Sequence, residues 1–139
     1  MQSEQNKAIL RQFFEAFAAN DQQVLGRLLA ADVRVHLPGE VAPTGREAFL
    51  EIVQQWSHAF SELGFVIEDS IADADSVASR VTLRAIHDRS AFLGVPPTGR
   101  RISVEILTIE RIRGDRIVER WVSFDLLRLL DELDPKERV

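Results

Sequence analysis

Apolar residues recur along this chain in two rhythms, and the change between them falls near Gly64. Before it, they come three and four apart, the spacing of one helix face. Ile9, Leu10, Phe13, Phe14 and Phe17 form a stripe that predicts a helix from Ser3 to Ala19, with Ser3 as cap and Glu4 in the first turn. Asn20–Asp21 breaks it and caps a second helix, running through Leu29 on Val24, Leu25, Leu28 and Leu29. Val33–Leu37 reads as a short extended piece that ends at Pro38–Gly39. A third helix starts at Thr44 or Gly45 and buries Phe49, Ile52, Val53, Trp56 and Phe60, and Gly64 closes this half.

After Gly64 the rhythm becomes two, the period of a strand. Phe65–Ile71 is a predicted strand, followed by a turn at Asp73–Asp75. Val77, Val81 and Leu83 alternate with Arg80, Thr82 and Arg84 in a second. A loop with Gly94, Pro96, Pro97 and Gly99 leads to a third over Arg101–Arg113. Gly114–Asp115 turns the chain into a fourth, Arg116–Phe124, and Leu126–Leu133 closes with a short apolar helix. Helices followed by an antiparallel meander predict one α+β domain over residues 1–139. A curved sheet wrapped around N-terminal helices leaves a cone-shaped pocket, the default place for a small ligand.

Composition narrows the chemistry. The chain has 139 residues, 45% of them apolar, and no cysteine, so thiolate catalysis, disulfides and cysteine metal sites are excluded. A net charge of −5 disfavours nucleic acid and anionic membrane surfaces as partners. The polar start and the lack of a long apolar run predict a cytoplasmic protein with no membrane span. His36, His58 and His87 are scattered without metal-ligand spacing, so no bound metal is expected. Gly94-Val-Pro-Pro-Thr-Gly99 lacks the spacing and the lysine of a phosphate loop, and there is no GxSxG elbow. Arg100, Arg101, Arg111, Arg113, Arg116 and Arg120 read as a solvated basic face.

Three residues are candidates for acid/base work. Asp125 ends the fourth strand directly before Leu126 and Leu127, where Asp is a preferred cap for the closing helix; partial desolvation there also suits a carboxyl for proton transfer, and the two roles are compatible. His36 and His87 each sit where a strand runs out, at a cavity mouth or an ordinary edge. Period two puts Ile117, Glu119, Trp121, Ser123 and Asp125 on one face of the fourth strand, and Val118, Arg120, Val122 and Phe124 on the other. The Trp121 face is then expected to line the cavity, with Ser123, Phe92, Phe49 and Trp56 as further pocket residues.

Phe92-Leu-Gly-Val-Pro-Pro-Thr-Gly-Arg-Arg101, the hairpin Gly114-Asp-Arg-Ile-Val-Glu-Arg-Trp121 and Asp125-Leu-Leu together resemble the SnoaL-like polyketide cyclases. The Asn6–Phe17 helix, the Asp32–His36 strand and Gly45-Arg-Glu-Ala-Phe49 fit the same pattern. That family belongs to a cone-shaped superfamily with nuclear transport factor two, scytalone dehydratase, limonene epoxide hydrolase and ketosteroid isomerase. The resemblance implies a cofactor-free intramolecular aldol closure of a polyketide ester, with the aspartate matching Asp125 as general acid/base. It also implies a histidine before the glycine–proline loop, for which Ala85-Ile-His-Asp-Arg-Ser90 offers His87. Many members carry a histidine before the tryptophan, where this chain has Arg120. An epoxide hydrolase, isomerase or dehydratase of the same fold, or a non-catalytic binder of an apolar ligand, are the alternatives. A homodimer through the sheet is expected, over Val118, Val122, Phe124, Leu107 and Ile109, and the resemblance favours it too.

Overall fold

The computed structural model describes residues 1–135. In chain order it holds α1 (Gln2–Ala19), α2 (Gln22–Leu28), β1 (Leu29–His36), α3 (Arg46–Ala59), β2 (Ser61–Ala72), β3 (Ser76–His87), β4 (Arg100–Arg113), β5 (Arg116–Ser123) and α4 (Leu126–Leu133). The five strands form one sheet in the order β1-β5-β4-β3-β2. Strands β2 to β5 are an antiparallel meander, and β1 adds to the free edge of β5 in parallel. Helix α1 packs on β2 and β3, α3 on β1, and α4 on the start of β4. This is the expected α+β cone.

The aromatic stripe of α1 drives the packing. Phe13 stacks on Phe49 of α3 with ring centres 6.0 Å apart, and Phe14 and Phe17 meet Phe65 of β2 at 5.1 and 4.9 Å. Burying a side chain of this size contributes about 1.5–3 kcal/mol, so these rings clamp the helices to the sheet. Asn6, fully buried, donates from Nδ2 to the carbonyls of Asp73 and Ala74, which ties α1 to the β2–β3 turn. Asp73 holds that turn by accepting from the amides of Asp75 and Ser76 at 3.0 and 2.8 Å. Gly114 and Asp115, with φ of 59° and 60°, make the two-residue β4–β5 turn, a conformation whose twist suits a tight hairpin.

Several sequence expectations move. Met1, not Ser3, is the N-cap of α1, and no side chain bonds there. Leu29 leaves α2 and begins β1, because edge pairing with β5 buries it opposite Ile117. The helical half ends at Ala59, and Gly64 lies inside β2 at an irregular register. The largest change is in β5. Arg111 pairs with Glu119 but its neighbour Ile112 pairs with Ile117, so Val118 is an extra residue, a bulge. The bulge breaks the two-residue period. Ile117 and Arg120, placed on opposite faces by strict alternation, are both buried.

Candidate functional site

The concave face of β4 carries Ile102, Val104, Ile106, Thr108, Glu110 and Ile112, all buried. Two of these six are polar, and β5 brings a third polar group to meet them. Arg120 lies opposite Glu110 in register and donates from Nε to Oε2 at 2.7 Å. Thr108 donates from Oγ1 to Oε1 at 3.0 Å, so both carboxylate oxygens are engaged. The guanidinium carbon of Arg120 sits 4.7 Å from the ring centre of Phe13, with Phe14 and Phe49 at 5.6 and 5.7 Å. Arginine suits this place, since its weakly hydrated plane stacks on aromatic faces while its edge bonds a carboxylate. Glu110 is 0% and Arg120 4% exposed. Burial pushes the Glu110 carboxyl up, against the opposing pull of Arg120 and Thr108. Burial likewise pushes Arg120 down, against the stabilising charge of Glu110.

Neither member of this pair is among the site residues expected from the sequence. Arg120 is no part of a solvated basic face; the Val118 bulge turns it inward. Glu110 left a legible signal, a charge on the apolar face of an otherwise regular alternation over β4. Of the predicted pocket residues, Phe49 is the one beside this pair.

His87, Trp56 and Phe92 gather at the far end of β3. His87 is fully buried, with its ring 5.0 Å from Phe60, and Phe92 sits 5.0 Å from Phe60 and 4.6 Å from Trp56. His87 Nε2 bonds the Ser90 carbonyl at 2.8 Å, so Nε2 carries the proton. Its Nδ1 has no hydrogen-bond partner among the described residues. Val77 is opposite Glu110 and His87 opposite Arg100. Ten residues of strand, about 33 Å, separate the two places.

His36, Trp121, Ser123 and Asp125 lie on the outer side. A trough of about 630 Å³ crosses all five strands there, lined by His36, Ile71, Leu107, Ile109, Trp121 and Ser123 among others. His36 donates from Nε2 to Glu119 Oε2 at 2.7 Å and stacks on Trp121, with ring centres 5.3 Å apart and planes 12° from parallel. That hydrogen bond is the main cause holding the Glu119 carboxyl below its ordinary value, with Arg34 and Arg111 adding their charge. Asp125 caps α4, where Oδ1 accepts from the Arg128 amide at 3.1 Å. Its carboxylate is exposed and lines a second cleft of about 650 Å³ with Glu105, Ser123 and Arg128. The structure therefore sorts the predicted site residues into three places rather than one cavity. Among the described residues no group of three or more acidic or histidine side chains is placed to hold a metal ion. None of their helices is long and apolar enough to cross a membrane.

A curved sheet closed by helices, with polar groups set into its apolar concave face, defines the cone-shaped class of small α+β proteins. Within it, residues 7–133 match the SnoaL-like polyketide cyclase family, and the chain belongs to that family. The chain is 32% identical to wild-type IdmH, a candidate polyketide cyclase from Streptomyces antibioticus, over 92% of this chain and 97% of that one, with a TM-score of 0.81. A candidate polyketide cyclase from Acidithiobacillus ferrooxidans is 26% identical over 93% and 94%, also with a TM-score of 0.81. A SnoaL-like protein from Jannaschia, 22% identical over 98% and 96%, shares the fold with a TM-score of 0.86. No curated protein sequence matches the chain.

Proposed function

We propose that this chain is a cofactor-free small-molecule enzyme of the cyclase type, closing a ring by an intramolecular aldol reaction at Glu110 and Arg120. One observation carries the reading: an arginine–glutamate pair is buried on the concave apolar face, beneath aromatic rings. Burying two charges costs several kcal/mol per ion, and replacing such a pair by apolar residues is often neutral or stabilising. A core made only for stability has little use for it.

The chemistry suits the pair. A desolvated carboxylate is a stronger base than a solvated one. Glu110 takes a proton from the carbon next to a substrate carbonyl, and the C–H electrons become an enolate. An Arg120 N–H donates to the enolate oxygen as its charge grows. The enolate carbon attacks a second carbonyl in the same molecule and forms the new C–C bond. The resulting alkoxide takes the proton back from Glu110. No oxidant, reductant or co-substrate enters. Phe13, Phe14 and Phe49 supply flat apolar walls. Asp125, expected for this role, is engaged as a helix cap in the open. Thr108 and Arg120 hold both carboxylate oxygens of Glu110, which fixes the base on the concave face.

The test uses aryl diketones whose carbonyls are spaced to close a six-membered ring. The wild-type chain is expected to cyclise at least one of them above background. Glu110→Leu with Arg120→Met, a double replacement that keeps the volume apolar, is expected to fold and to lose turnover by about 100-fold or more. A folded double variant that turns over at the wild-type rate overturns the assignment.

A further inference from the structure

A smaller, separate cleft, about 200 Å³, opens between α1 and the β2–β3 hairpin, lined by Lys7, Leu10, Arg11, Ile67, Ser70, Val77 and Ser79. Ser70 and Ser79 are partners in the antiparallel register, so their side chains leave the same face of the sheet, the one α1 covers. Ser79 is 6% exposed, and its Oγ has no hydrogen-bond partner among the described residues. A buried hydroxyl is costly to leave unmatched, and this one borders an open cleft. Across from the serines, Lys7 and Arg11 stand four residues apart on one face of α1. Lys7 makes a loose 3.8 Å ion pair with the exposed Glu4. The remaining walls, Leu10, Ile67 and Val77, are apolar.

From this arrangement we infer that the cleft binds the carboxylate end of a short apolar acid. The hydroxyls and cations suit a carboxylate head, since charge-assisted hydrogen bonds are the strong ones. Half-buried Ile67, with the edges of Leu10 and Val77, gives a short alkyl tail a small apolar footing that an inorganic anion does not use. A volume below the roughly 300–1,000 Å³ of drug-sized pockets fits a small acid or the end of a longer one. The inference stands independently of the catalytic reading, although Val77 is the register partner of Glu110 and the cleft floor adjoins the buried pair.

Hexanoate is the probe, followed by amide chemical shifts, with hexanol and inorganic phosphate as controls. Hexanoate is expected to shift the amides of Leu10, Ser70, Val77 and Ser79 saturably, and to bind more weakly as salt screens the two cations. Hexanol and phosphate are expected to leave those amides in place at the same concentration. Ser79→Ala is expected to weaken hexanoate about tenfold, as loss of a hydrogen bond to a charged group does. Lys7→Gln with Arg11→Gln is expected to remove the salt dependence. The inference falls if hexanoate gives no saturable shift at these amides. It falls equally if phosphate or hexanol binds as well, or if Ser79→Ala binds unchanged. A circular dichroism spectrum of each variant separates lost binding from lost fold.

Discussion

Arg120 reaches across from β5 to Glu110 on β4 with 2.7 Å between Nε and Oε2, inside a wall of phenylalanines. Removing one member leaves the other a buried charge without its counter-charge. Glu110→Gln and Arg120→Gln are each expected to cost about 3–5 kcal/mol, whereas Glu110→Leu with Arg120→Met together cost far less or nothing. Urea unfolding of the three variants measures this. A double variant that loses the sum of the two single losses would show that the pair is not coupled as the geometry implies.

Two glutamates give stability opposite dependences on pH. Glu110 has its folded value raised above the ordinary 4.5, so through that window the folded chain holds a proton the unfolded chain has released. Its contribution falls as pH climbs from 4.5 to the raised value. Glu119 has its folded value lowered, so its contribution is present above 4.5 and is lost as pH falls through the lowered value. The Glu110→Leu, Arg120→Met variant is expected to flatten the upper limb of the stability profile. His36→Asn removes the main cause of the lower shift and is expected to shrink the acid limb. Unfolding midpoints across the range check both signs.

Asp125 separates capping from chemistry. Asparagine caps as well as aspartate, so Asp125→Asn is expected to keep stability within a few tenths of a kcal/mol, while Asp125→Ala loses about 1 kcal/mol. Turnover of a cyclising diketone is expected to survive Asp125→Asn. A loss of about 100-fold in that variant would return the acid/base role to Asp125.

The outer face is expected to pair with a second copy. Ile71, Ala78, Ile109, Trp121 and His36 are consecutive register partners, one row across all five strands. Ile71 and Ile109 are 75% and 49% exposed, and Leu107 in the next row is 51%. Of the residues expected here, Val118, Val122 and Phe124 instead pack against the core, so the face is narrower than its sequence suggested. Arg80 and Glu105, paired at 3.8 Å, supply both charge signs, which a twofold contact between identical faces needs. Light scattering is expected to give about twice the chain mass of 15.7 kDa, and Ile109→Lys to halve it. A wild-type mass of one chain refutes the pairing.

The rhythm of apolar residues located nearly every element, because helix and strand periods are local properties. It found His87, Trp56 and Phe92 as separate candidates but not their meeting, which depends on how the loop after β3 folds back onto α3. It misplaced Arg120 because a bulge is decided by the partner strand: nothing around Val118 announces an extra residue until β4 lies beside it. Glu110 was readable, as one acid in a row of apolar alternates, yet its arginine was not.

The bulge at Val118 has a consequence for how this scaffold changes over time. One inserted residue exchanges inside for outside along the rest of β5. Arg120 and Val122 go to the core side, and Trp121 and Ser123 to the surface. A lineage that gained or lost that single codon would swap the lining of its interior for the lining of its outer face without altering one side chain. Relatives aligned without a gap at this point would then share letters at positions that look in opposite directions.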